Sequence, residues 1–158
     1  SANFKGLPAT DSIYTYDDAL ERHQLALLNT VIKKAKESER AYTCLKMAWI
    51  CRGKAESLSE ELPNYKAQLK ELKGQEKELL ENAYTGFETA FSKESFPMCG
   101  MDEITVSYLL AELARRIGKF EESSRWISRV LISRDANDRI KNRAREIKEL
   151  LNKDMHKA

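Results

Sequence analysis

Apolar residues recur along this chain at spacings of three, four and seven, the period of amphipathic helices. Leu20, Leu27, Leu28, Val31 and Ala35 share one face of a first helix that runs to about Lys36. Thr15-Tyr-Asp-Asp18 offers it an N-terminal signal, a hydroxyl cap followed by acids against the helix's positive end. Ser38 is placed to cap a second helix that carries Ala41, Tyr42, Leu45, Ala48, Trp49 and Ile50 and fades after Leu58. Pro63 then precedes a long run to about Lys93, with Tyr65, Leu69, Leu72, Leu79, Ala83, Phe87 and Ala90 on a near-heptad spacing. Lys70 to Glu78 is almost wholly polar and contains Gly74, so the run is either one long helix or two; the pattern favours one.

Phe96-Pro-Met-Cys-Gly100 breaks the pattern as a loop, and Asp102 is positioned to cap a fourth helix with Val106, Leu109, Leu110, Leu113 and Ile117. Gly118, the residue best suited to a left-handed exit, ends it. A fifth helix follows from Phe120 to about Ser133, carrying Trp126, Ile127, Val130 and Leu131. A sixth starts near Asn137 and is expected to bury Ile140, Ala144, Ile147, Leu150 and Leu151. Short connections force these last three helices to run antiparallel. The chain therefore reads as an irregular lead-in over residues 1–14, then one helical-hairpin domain over 15–156. The start at Ser1-Ala2-Asn3, without Met, suits a tag remnant on an excised domain.

Composition sharpens this only in places. Six Gly and three Pro leave little punctuation for a many-stranded sheet. A formal charge of +2 announces neither a nucleic-acid binder nor an acidic tail. No apolar run approaches the roughly 20 residues that cross a membrane. Three cysteines, Cys44, Cys51 and Cys99, without a Cys-x-x-Cys spacing, read as reduced thiols of a cytoplasmic protein.

Leu110, Ala111, Gly118, Phe120, Ser123, Ile127 and Val130 resemble the signature of a tetratricopeptide repeat. Ser123 stands where Ala is usual, Ala114 where an aromatic is usual and Asp135 where Pro is usual. Tyr42, Leu45, Trp49 and Gly53 form a degenerate second match. The resemblance implies an all-α, tetratricopeptide-like stack of about six antiparallel helices in a right-handed superhelical arrangement. More narrowly, Ala48-Trp-Ile-Cys-Arg52, Glu112-Leu-Ala-Arg-Arg-Ile-Gly-Lys-Phe-Glu-Glu122 and Arg125-Trp-Ile-Ser-Arg129 resemble the helical body of a bacterial family of uncharacterised proteins. Those proteins resemble a cysteine-rich, zinc-ribbon-like head joined to tetratricopeptide-like helices, and the head is missing from this chain.

Catalytic chemistry finds little footing. His23 lies mid-helix among Glu21, Arg22 and Gln24, and His156 lies near the end; both read as solvated. Glu-x-x-His pairs, phosphate-binding glycine loops and nucleophile elbows do not occur. Cys44 and Cys51 are two turns apart, roughly 10.5 Å by the helical rise, too far for one metal or a disulfide, and read as small core residues. No metal ligands, cofactor or catalytic residues are expected.

Two surfaces compete for a binding role. In the repeats that the chain resembles, the first helix of each hairpin lines a groove. That reasoning nominates Thr105, Tyr108, Glu112, Arg115 and Arg116 on the better-matched hairpin, and Arg40, Thr43, Met47 and Ile50 on the degenerate one. Tyr108 and Glu112 occupy positions of the Lys and Asn clamp with which some such domains hold peptide carboxylates, which disfavours that ligand. Between Arg115 and Lys148, eleven basic residues face five acids, so a basic face including Arg125, Arg129 and Arg143 is the anion- or nucleic-acid-binding alternative. A third reading pairs two copies through the Pro63–Lys93 helix, with Tyr84, Phe87 and Phe91 partly exposed. The leading expectation is a non-enzymatic protein-interaction or scaffolding module with an unknown protein or peptide partner.

Overall fold

The structure, a computed structural model, describes residues 13–32 and 35–157. Among these it contains six α-helices: α1 (Ile13–Ile32), α2 (Glu37–Ser57), α3 (Tyr65–Lys93), α4 (Glu103–Arg116), α5 (Phe120–Ile132) and α6 (Asp138–Lys157). The order and type of elements follow the apolar periodicity, and no named strand occurs among the described residues. The chain divides into two compact units, Ser1–Ala83 and Tyr84–Ala158, with the division falling inside α3.

In the first unit α1 packs against α2. Gly53 makes the approach close: a Cβ there would lie 2.9 Å from Cε1 of Tyr16. Nearby, Lys54 pairs with Asp17. The α2 residues Ala41, Cys44, Leu45, Met47, Ala48, Ile50 and Cys51 are all buried, which wraps apolar contact around most of the helix rather than along one stripe. From α3, Leu72, Leu80 and Ala83 are buried in this unit. Arg52 Nη2 reaches Glu76 Oε2 at 2.8 Å, and the Cys51 thiol donates to Gln75 Oε1 at 3.9 Å, tying α2 to α3.

Four expectations for this half need correction. The lead-in of residues 1–14 lies outside the described residues up to position 12, while Ile13 and Tyr14 already belong to α1. Thr15 is therefore inside the helix and cannot be its N-cap. Ser38 is likewise a buried residue within α2, whose N-cap is Lys36 without a side-chain cap bond. Leu28 was assigned to the inner face of α1, yet it is exposed, as is Leu25 one turn before it; Val31's side chain lies outside the described residues. The polar middle of α3 does not break the helix at Gly74, in agreement with the single-helix reading.

The second unit follows its local signals closely, with one correction: Leu150, expected inside, is exposed, and its neighbour Leu151 is the buried one of the pair. The Asp102 carboxylate accepts from the Thr105 backbone N–H at 2.8 Å, and these hydrogen bonds hold its pKa below the ordinary value. Gly118, with φ of +84°, ends α4; the Lys119 N–H returns to the Ala114 carbonyl at 2.8 Å. The Asn137 side chain accepts from the Ile140 N–H at 2.9 Å and caps α6. Between the helices, Ile104, Ala111, Ile127, Val130, Ala144 and Ile147 form a buried cluster. The Ser123 hydroxyl, completely buried, donates to the Ala111 carbonyl at 2.7 Å and draws α5 against α4. Helix α6 packs on both α5 and α4.

Candidate partner-binding face

Five of the nominated residues come from one helix, Thr105 in its first turn and the other four further along. Tyr108, Glu112, Arg115 and Arg116 follow each other on α4 at helical spacing, and three of them are joined by ion pairs. Glu112 Oε1 receives Arg115 Nη2 at 3.2 Å and also Arg116 Nε. Arg115 Nη1 extends to Asp154 Oδ2 at 3.1 Å and so links α4 to the last turns of α6. The Arg115 side chain is only 16% exposed, and its Nε is buried with no hydrogen-bond partner. Arg115 thus acts mainly as a tie between helices, leaving Arg116 as the accessible cation of the pair.

Tyr108 is half-buried and packs against the apolar cluster of α4, α5 and α6. Burial raises its phenol pKa, with Glu112 and Glu146 adding to the rise and Arg143 and Arg116 opposing it. Tyr108 packs on the cluster that includes Ala144 and Ile147 of α6, and Arg143 and Glu146 immediately precede these two residues in the helix. Arg143, nominated as part of a separate basic face, therefore belongs with Tyr108 and Arg116. The α4–α6 face is a mixed-charge surface around a half-buried aromatic.

The other two members of the anion set have different neighbours. Arg125 is 70% exposed and pairs with Glu122 at 3.6 Å. The Arg129 guanidinium lies over two rings, 5.1 Å from the Phe91 centroid and 5.6 Å from that of Trp126. Phe91 meets Trp126 edge-on at 4.9 Å and Phe96 at 5.3 Å. The Trp126 indole N–H donates to the Tyr84 hydroxyl at 3.2 Å, and that hydroxyl lies 3.1 Å from the Glu88 carboxylate, to which it donates. Helical spacing assigns Trp126 to the core, but no local pattern relates Arg129 on α5 to Phe91 on α3.

The nominated residues of α2 fare differently. Met47, Thr43 and Ile50 are buried, so Met47 is corrected from a groove residue to a packing residue: it lies within the broad buried arc of α2. Arg40 is half-exposed, but its Nη1 donates to the Ala35 carbonyl just before α2. Tyr84 and Phe87 are also fully buried, which removes them as dimer contacts; Phe91 is half-buried under Arg129.

In the first unit, burial is the main cause of the shifts of its titratable groups. His23, expected to be solvated, is half-buried, and desolvation, then Lys46 and Arg22, lower its pKa. Burial raises Cys44 and pushes Cys51 to about 11, with Glu76 adding to the Cys51 rise, so both are protonated thiols at neutral pH. The three cysteines form no disulfide. Among the described residues no group of three or more His, Cys, Asp or Glu is arranged to hold a metal ion, and no helix is long and apolar enough to cross a membrane.

No curated protein and no solved structure matches the chain. A family described as an uncharacterized protein conserved in bacteria (DUF2225) matches residues 6–151. Because that match runs from residue 6 into α6 and covers most of the chain, the chain belongs to this bacterial family.

Proposed function

We propose that the chain is a non-enzymatic protein-interaction module of tetratricopeptide-like design, which engages a protein or peptide through the α4–α6 face. On this reading α4 and α5 are one repeat and α6 opens the next turn of a right-handed stack. The support is local: Ala111 and Ser123 are the small residues at the close approach, Gly118 has the left-handed exit, and Ile127 and Val130 fill the hairpin. Metal chemistry, on the same reading, belongs to a cysteine-rich head and not to these helices.

One observation carries the assignment of the face. Half-buried Tyr108 packs on the cluster shared by α4 and α6, with Glu112 and Arg116 one and two turns along α4 and Arg143 and Glu146 adjoining the cluster's Ala144 and Ile147 on α6. Aromatic and Arg side chains dominate binding energy at protein interfaces, and the mixed charge favours a protein over a polyanion. A half-buried Tyr also loses little side-chain freedom when a partner covers it.

The test is capture from a bacterial lysate with and without nuclease, followed by Tyr108→Ala and Arg116→Glu. A protein retained after nuclease and lost from both variants supports the face. Proteins that disappear with nuclease, or a salt-steep nucleic-acid affinity damaged by charge reversal at Arg125 and Arg143, would replace this reading with the anion-binding one.

A further inference from the structure

A second exposed stripe runs along α5, a helix that contributes none of the residues named for the α4–α6 face. Arg125, Arg129 and Ile132 are spaced by four and three residues, so they fall on one stripe of the helix. Ile132 is 81% exposed, the most exposed of the large apolar side chains among the described residues. Arg129 has no carboxylate partner among them, and its guanidinium is held over Phe91 and Trp126. Arg125 has only the long contact with Glu122.

This combination differs from an ordinary solvated charge. An arginine stacked on rings has already lost much of its rotamer freedom, so binding an anion costs less ordering. Its N–H fork stays available for a bidentate carboxylate. The exposed Ile132, one turn further along, is a landing point for an apolar side chain close to that carboxylate. A nucleic acid fits less well: Arg129 already covers the Phe91 and Trp126 rings, so they are poor base-stacking platforms, and Ile132 offers nothing to a phosphate backbone.

We infer that the Arg125–Arg129–Ile132 stripe of α5 is a docking site for an acidic peptide segment that presents a carboxylate to Arg129 and an apolar side chain to Ile132. The site is independent of the α4–α6 face and stands or falls separately from it.

The test uses a fluorescein-labelled peptide of alternating Glu, Leu and Asp, a matched peptide with Gln and Asn in place of the acids, and a single-stranded oligonucleotide. Binding is read by anisotropy and by emission of Trp126, which lies beneath Arg129, in a Trp49→Phe background. The acidic peptide should bind in the micromolar range, a common affinity for single peptide contacts, and should shift Trp126 emission. Arg129→Gln should weaken it about tenfold or more, and Arg129→Lys should restore little, because an ammonium lacks the fork. Ile132→Ser should weaken it several-fold, while Lys77→Gln, an exposed charge on α3, should leave it unchanged. Absence of acidic-peptide binding, equal binding of the Gln/Asn peptide, or stronger binding of the oligonucleotide would overturn the inference. So would loss of peptide binding on Arg116→Glu with Arg129→Gln unaffected, a result that would move the peptide to the α4–α6 face and leave the proposed function standing.

Discussion

Replacing glycine by alanine should stabilise this protein at one position and destabilise it at another, because steric crowding is absent from both. A Cβ added at Gly74 or at Gly118 meets no atom within 4 Å, so the two substitutions differ only in backbone conformation. Gly74 lies inside the continuous helix α3, where Ala is favoured over Gly by about 1 kcal/mol. Gly118 has φ of +84°, a conformation that costs an L-residue roughly 1–2 kcal/mol. The difference between the two variants should therefore be about 2–3 kcal/mol, an amount that urea denaturation resolves. Circular dichroism at fixed urea increments should give a higher midpoint for Gly74→Ala and a lower one for Gly118→Ala, with similar slopes. A neutral or destabilising Gly74→Ala would refute the continuous helix through the polar segment. A harmless Gly118→Ala would refute the left-handed termination of α4.

Other substitutions test packing and charge. Burial lifts Tyr84 from an ordinary 10.0 to about 12, so the folded state keeps this proton after the unfolded chain has released it. Its stabilisation is complete below about pH 10 and is lost as pH rises toward 12, at roughly 1.4 kcal/mol per pH unit. Cys51, raised from 9.0 to about 11, acts with the same sign from about pH 9 upward. Denaturation at stepped alkaline pH should show both, and Tyr84→Phe should flatten only the part above pH 10; an unchanged profile would contradict the assignment. For the tie between α4 and α6, a double-mutant cycle with Arg115→Met and Asp154→Asn should give a coupling of about 1 kcal/mol, and a coupling near zero would make the contact incidental. Phe87→Glu puts a charge where the structure has a fully buried ring, so it should unfold the protein by circular dichroism. Survival of the fold with a changed mass in light scattering would instead restore the dimer reading.

The second unit was the more legible half because its signals are local. Asp102, Gly118 and Asn137 each act on the backbone within a few residues, and α5 and α6 carry clear apolar stripes. The first unit was read less well for a physical reason. Helix α2 is buried around most of its surface, so no periodicity separates a partner-facing side from a packed one, and Met47 was misplaced accordingly. Thr15 and Ser38 have the composition of caps, but a capping role depends on where the backbone turns into the helix, which one hydroxyl cannot set. At the candidate face, α4 spacing alone was enough to group Tyr108, Glu112 and Arg116. The partnership of Arg115 with Asp154, 39 residues away, and that of Arg129 with Phe91 depend on how helices pack side by side. No local pattern encodes those contacts.

The most direct test of the central claim is site-specific photocrosslinking in bacterial cells. Benzoylphenylalanine would replace Tyr108 on the α4–α6 face in one sample and exposed Lys77 of α3 in a control. The expected result is a discrete protein adduct from position 108 that withstands nuclease and is absent from position 77. Equal adducts from both positions, none from 108, or an adduct abolished by nuclease would contradict it.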